Sequence, residues 1–150
     1  MKSLHNPAVH ADIRARILAL RPDAHRRWGK MSVDQMLWHV NESFRMALGE
    51  ETYERMPGAP RLPQWFLRWA VIRLPWPKGR SPTYAEWVAD GTSHDFLAER
   101  SRLLQYIDRL HAKTLDSNWP TNPTLGRMSG MEWSELQAKH VDHHLQQFGA

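Results

Sequence analysis

The chain has 150 residues, with 20 Lys and Arg against 16 Asp and Glu, a net charge of +4, nine His, eight Trp and no Cys. This length favours one domain over residues 1–150, and the lack of Cys excludes disulfides, thiolate metal ligands and a cysteine nucleophile. The basic residues are spread along the whole chain instead of forming one stripe, so we expect no nucleic-acid partner.

Two helices are predicted in the first third of the chain. The first, over residues 7–20, follows the N-cap residue Asn6, and its apolar residues recur at helical spacing. The second, over residues 33–48, follows Ser32, which forms a capping-box pattern with Gln35, and ends at Gly49. Both helices therefore have a start signal and an apolar face for a core.

A long connection over residues 49–92 follows and contains six of the ten prolines. A loop of this length without structure of its own is uncommon inside a compact domain, and residues 62–74 predict a short, very apolar helix. This helix suits a lid over a pocket, a dimer surface or an interfacial membrane helix with basic flanks. We favour packing on the other helices as part of the core.

Two further helices are predicted in the last third, over residues 94–112 and 130–148. The apolar stripe of the first includes Phe96, Leu97, Leu103 and Leu110, and the second follows a capping box made by Ser129 and Glu132. The chain therefore predicts an all-α fold, a four-helix bundle with a crossover over residues 49–92 between helices two and three.

Three histidines are the candidate functional residues. His140 and His144 are four residues apart, which places both imidazoles on one helix face, beside apolar residues. His39 lies on the apolar face of the second helix. Nine histidines give about 0.5 such pairs by chance, so spacing alone proves nothing. If helices two and four are antiparallel with aligned ends, His39 is level with the pair; if they are parallel, it is displaced by about 6–12 Å.

Three imidazoles that meet would bind a divalent metal, with Zn or Ni expected first and Fe or Mn as alternatives. Three protein ligands leave a coordination position open, as in catalytic sites. His143 projects away from His144 and ranks below the other ligands. Glu42 is a candidate fourth ligand or base beside the metal, although we favour a solvated surface charge. Trp38 and Trp133 are candidates for the pocket wall.

The chain resembles the DinB/YfiT-like superfamily at these residues. A His on the second helix and His-x-x-x-His on the fourth, with a long connection between helices two and three, is the superfamily pattern. Residues 27–32, 75–79, 126–133 and 139–148 resemble one uncharacterised branch of it. The resemblance implies an up-down-down-up four-helix bundle in which His39, His140 and His144 bind the metal. Characterised members include S-transferases and isomerases that use bacillithiol, mycothiol or glutathione, so a low-molecular-weight thiol is implied by resemblance alone.

These observations together predict a metal-dependent enzyme, a transferase or hydrolase, that acts on a small molecule. The alternative is a non-catalytic binding or interaction protein whose histidines are structural. No signal peptide and no apolar run of transmembrane length is visible, so we expect a cytoplasmic protein. The sequence leaves open whether two copies of the chain form a homodimer.

Overall fold

Five α-helices and one short 3-10 helix form the regular structure of the computed structural model, which describes residues 2–80, 83–88 and 90–150. The α-helices are α1 (Pro7–Ala19), α2 (Val33–Ala47), α3 (Gln64–Arg73), α4 (Phe96–Ala112) and α5 (Gly130–Gln147), and the 3-10 helix is Ala85–Trp87. The described residues contain no strand beyond one isolated bridge between Asn122 and Gly126. The predicted all-α class is confirmed.

The helices begin at the capping residues that the sequence offers. The Asn6 side chain accepts from the Ala8 and Val9 N–H groups at the start of α1. At the start of α5, the Glu132 N–H donates to Ser129 Oγ, and the Ser129 N–H donates to the Glu132 carboxylate. α4 begins two residues later than predicted because the Asp95 carboxylate accepts from the Ala98 N–H and so caps the helix.

The four long helices bury one shared apolar core. α4 contributes Leu103, Ile107 and Leu110, which are at most 1% exposed. Leu97 was wrongly included in the predicted stripe, since it is 65% exposed. It lies on the outer side of the first turn of α4, whereas Glu99 in the same turn is buried and accepts from Asn41 of α2.

Hydrogen bonds between neighbouring helices establish their directions. The Arg27 N–H, before α2, donates to the Gln147 carbonyl at the end of α5, whereas Ser43, near the end of α2, bonds Gln137 in the first half of α5. α2 and α5 are therefore antiparallel. The remaining directions follow from the pairs Leu4–His111, Leu20–Arg100, Asp34–His94 and Glu50–Tyr106. By these pairs α1 is antiparallel to α4, and α2 is parallel to α4.

The predicted apolar helix of the connection is α3, and it packs against α5. Leu67 and Ile72 are buried, whereas Trp65 is 64% exposed and Trp69 is 50% exposed, so only one face of α3 joins the core. The Lys139 ammonium donates to the carbonyls of Val71, Ile72 and Leu74. This cation at the C-terminal end of α3 holds the connection on α5, next to His140.

None of the helices within the described residues is both long enough and apolar enough to cross a membrane.

A pair of leucines on α4 tests the assignment of the core. Leu110 is fully buried, so Leu110→Ala should lower the free energy of unfolding by about 2–5 kcal/mol through lost burial and the cavity left behind. Leu97→Ala removes the same atoms from an exposed position and should change it by less than about 0.5 kcal/mol. Urea unfolding measures both, and equal losses would contradict the packing described.

Candidate metal centre

His39 from α2 and His140 and His144 from α5 meet in the interior of the protein. Nε2 of His140 lies 3.1 Å from Nε2 of His39 and 3.1 Å from Nε2 of His144. One ring nitrogen from each residue lies within 4.8 Å of the others, and all three residues are at most 7% exposed. The antiparallel arrangement of α2 and α5 brings His39 level with the pair, as the sequence argument required.

The other nitrogen of each ring is hydrogen-bonded, and the partners assign the tautomers. Nδ1 of His39 lies 3.0 Å from the Trp87 carbonyl oxygen, which can only accept, so Nδ1 carries the proton. Nδ1 of His144 lies 2.9 Å from Oε1 of Gln147. The Gln147 amide is oriented by its own NH₂ group, which donates to the Trp28 carbonyl. His144 therefore donates from Nδ1 as well.

The same reasoning applies to His140, whose Nδ1 lies 3.0 Å from Ser43 Oγ. The single Ser43 hydroxyl proton is directed to the Val40 carbonyl or to Oε1 of Gln137. Gln137 in turn donates its NH₂ group to the Ser43 carbonyl, which turns Oε1 toward the hydroxyl. Ser43 is thus an acceptor toward His140, and the His140 proton is on Nδ1.

All three Nε2 atoms therefore direct lone pairs at one another. The lone pair of His140 Nε2 lies 3.1 Å from Nε2 of each of the other two rings, where lone pairs repel, and a cation between them removes the repulsion. Zn–N bonds of about 2.0–2.1 Å in tetrahedral geometry place ligand nitrogens about 3.3 Å apart, close to the two separations of 3.1 Å. A proton on Nδ1 held by an oxygen acceptor is also the usual arrangement around metal-ligating histidines. The three residues fit a divalent metal.

Burial keeps these rings neutral, which is the state that binds a metal. Burial is the main cause that lowers the pKa of His39 and of His140 below the ordinary value for histidine. Burial lowers the pKa of His144 to about 3, with a further contribution from His39. Neutral imidazole offers its lone pair without first losing a proton, so no proton competes for the site at neutral pH.

A cavity of about 670 Å³ lies against the three histidines, and we call it the triad cavity. Its wall combines residues of α2 and α5, such as Met46 and Leu136, with residues of the connection, such as Phe66, Trp76 and Trp87. Its volume is in the range of small-molecule sites. The triad is therefore reached from a space large enough for a substrate.

His143 lies on the wall of the triad cavity but outside the triad. Its ring packs against Trp28, with centroids 5.9 Å apart, and against Trp76, with centroids 5.6 Å apart. It is half-buried, and burial lowers its pKa. His143 therefore stands beside the cluster of three histidines and is not part of it.

The other candidate residues lie away from the cavity surface. Trp38 stacks on His94, with ring centroids 4.9 Å apart, and Trp133 is fully buried with its indole N–H donating to the Pro120 carbonyl. Glu42 is 8% exposed, so its interpretation as a solvated surface charge was wrong. Its carboxylate accepts from the Tyr53 hydroxyl and from Arg45, which explains how a charge is tolerated there.

The oxygen acceptors of the triad were missed in the sequence. Ser43 is four residues after His39, and Gln147 is three residues after His144, so helical spacing could have suggested both. No sequence signal points to the Trp87 carbonyl, because it comes from the connection and is a backbone group. Gly29 was also missed: its φ is +79°, and a Cβ there would lie 2.5 Å from the Gln147 NH₂ nitrogen.

Comparisons of this chain with protein-family models, with curated proteins and with solved structures find no match.

Gln147 should affect the metal affinity of the site although it is not itself a metal ligand. Gln147→Ala removes the acceptor for His144 Nδ1 and should weaken metal affinity by about 10–100-fold, because that ring loses its fixed tautomer and orientation. Gln146→Ala changes the exposed neighbour, whose side chain donates to Asp142, and should leave the affinity unchanged. Competition with a chelator measures both affinities. Equal values for the two variants would contradict the role of Gln147.

The metal-free protein should lose stability as pH falls. The triad rings have lowered pKa values when folded, so below about pH 6.5 the unfolded chain binds more protons than the folded one. The contribution of the triad rings to the free energy of unfolding is then fully present above about pH 6.5. As the pH is lowered below this value, the contribution falls by roughly 1 kcal/mol per pH unit for each ring that stays neutral. Urea unfolding in EDTA between pH 7.5 and 5.5 measures this. His140→Asn should reduce the slope, and His25→Asn, at an exposed position, should not.

Proposed function

We propose that this protein is a metal-dependent enzyme of the DinB/YfiT-like type, a transferase or hydrolase that acts on a small molecule. His39, His140 and His144 bind the divalent metal, with Zn or Ni preferred to Fe or Mn. The observation that carries the proposal is the convergence of three buried Nε2 lone pairs beside a cavity of substrate size. A structural cluster has no need of an adjoining cavity.

The proposal includes an up-down-down-up four-helix bundle made by α1, α2, α4 and α5. The helix directions support it, since α2 is antiparallel to α5 and parallel to α4. α3 and the 3-10 helix form the crossover, which supplies the Trp87 carbonyl to His39. In this arrangement the crossover is part of the metal centre as well as of the cavity wall.

The neutral imidazoles favour a catalytic role for the metal. A bound divalent cation supplies Lewis acidity at its open coordination position, toward water or a thiol. Because all three ligands are uncharged, the centre keeps its full positive charge in a poorly solvated environment, where electrostatic effects are strong. The chain's own residues hold the ligands through Nδ1 and exclude water with the apolar wall.

The competing hypothesis is a non-catalytic binding protein in which the histidines are structural. The hydrogen bond at every Nδ1 supports a structural role, because each buried ring already has one partner. It leaves the three facing Nε2 atoms unexplained. Metal content therefore separates the two hypotheses.

Metal analysis of untagged protein tests the proposal. We expect about one equivalent of a divalent metal per chain, and loss of that metal in His144→Ala because two ligands no longer hold it. His25→Ala removes an exposed histidine and should keep the metal. Added metal should also raise the melting temperature of the chelator-treated wild type and not of His144→Ala. Protein that binds no metal under any loading condition would overturn the proposal.

A further inference from the structure

We infer that the triad cavity takes a neutral, largely apolar small molecule, held by its apolar body with one polar atom reaching the three histidines. The part of this inference that concerns the polar atom rests on the proposed metal centre. The part that concerns the apolar body rests on the cavity wall alone.

The charge of the wall excludes most polar metabolites. Among the described residues that line the cavity, there is no Asp, Glu or Arg, and Lys30 is the one charged side chain. Proteins hold phosphate and carboxylate groups mainly with Arg and Lys, often bidentately, and hold cations with carboxylates. One lysine does not match a molecule with several charges.

Three polar side chains of the wall, Tyr84, Asn122 and Thr124, bind one another. The Tyr84 hydroxyl lies 3.0 Å from both Asn122 Oδ1 and Thr124 Oγ1. Asn122 Oδ1 also accepts from the Thr124 and Leu125 N–H groups. A ligand that needs hydrogen bonds from these groups would first have to break existing ones, at a cost comparable to the gain.

A second polar pair, deeper in the wall, is occupied in the same way. Ser43 and Gln137 bond each other, and Ser43 also accepts from His140. Sugar-bearing or peptide-like ligands need many free donors and acceptors. Besides the triad, the one buried side-chain group without a partner among the described residues of this wall is the Trp87 indole N–H. The wall therefore selects for apolar surface on the ligand.

The mouth of the cavity points to the same class of ligand. Leu62, Leu74 and Val88 line the cavity and are 47%, 47% and 54% exposed, and Phe66 beside them is 37% exposed. Exposed apolar side chains grouped in one place are unusual unless something covers them, and a ligand with apolar surface would do so. Lys30 also lines the cavity and leaves room for at most one anionic group.

This wall is a poor match for a low-molecular-weight thiol. Glutathione carries two carboxylates and an ammonium group, and bacillithiol and mycothiol carry sugar hydroxyls. Among the described residues, the cavity wall has no arginine or acid, and it offers few free hydrogen-bonding groups to such molecules. Within the proposed function, this favours water over a thiol as the second reactant.

Fluorescence titration with N-phenyl-1-naphthylamine, a neutral apolar probe, tests the inference on the full chain in EDTA. We expect saturable binding of one probe per chain. Ala70→Trp fills the cavity from α3 and should weaken probe binding at least tenfold, whereas Ala98→Trp, at an exposed position on α4, should not change it. Unfolding curves establish that both variants are folded.

A second pair of variants keeps the test informative if Ala70→Trp is unstable. Phe66→Arg places a charge at the mouth and should weaken probe binding at least tenfold. Trp65→Arg changes the adjacent aromatic residue, which is 64% exposed and outside the cavity wall, and should leave binding unchanged. Decanol should displace the probe and glutathione at the same concentration should not.

The outcomes separate this inference from the proposed function. Absence of probe binding, equal effects of Phe66→Arg and Trp65→Arg, or displacement by glutathione would overturn the inference, and a metal bound at the triad would still support the proposed function. Probe binding that is weakened by the cavity variants supports the inference. If the same protein binds no metal, the proposed function is wrong and the inference about the apolar body of the ligand still stands.

Discussion

The hydrogen bond at Nδ1 of each triad histidine is the interaction on which the rest of the site depends. Buried imidazoles have no water to satisfy them, so each ring orientation requires a protein acceptor. The three acceptors come from different parts of the chain: a side chain on α2 (Ser43), a side chain on α5 (Gln147) and the Trp87 carbonyl of the connection. With all three in place, Nε2 of His140 faces Nε2 of His39 and of His144.

The connection between α2 and α4 is therefore more than a long loop. Its middle is held by Lys139, whose ammonium binds the last carbonyls of α3, and the connection reaches His39 through the Trp87 carbonyl. Its apolar residues form much of the cavity wall. The same segment thus orients the His39 ring and lines the cavity in front of it.

The triad and the wall of the triad cavity are both almost uncharged. Three neutral ligands and an almost uncharged wall would surround a divalent cation with little to reduce its charge. In such surroundings a positive centre acts strongly on a polar atom brought next to it. The buried Glu42 carboxylate acts electrostatically on His39, but it is bound by Tyr53 and Arg45 and is not part of the cavity wall.

The sequence by itself determined the helices, the capping residues of α1 and α5 and the three candidate histidines, because these depend on residues three or four positions apart. Ser129 with Glu132 and the pair His140 and His144 are local features of that kind. Tertiary structure alone decided that Leu97 is exposed, that Glu42 is buried, and that Trp38 and Trp133 lie off the cavity. It also supplied the Trp87 carbonyl to His39, across 48 residues. Burial and backbone acceptors depend on which surfaces meet, and helical periodicity does not encode that.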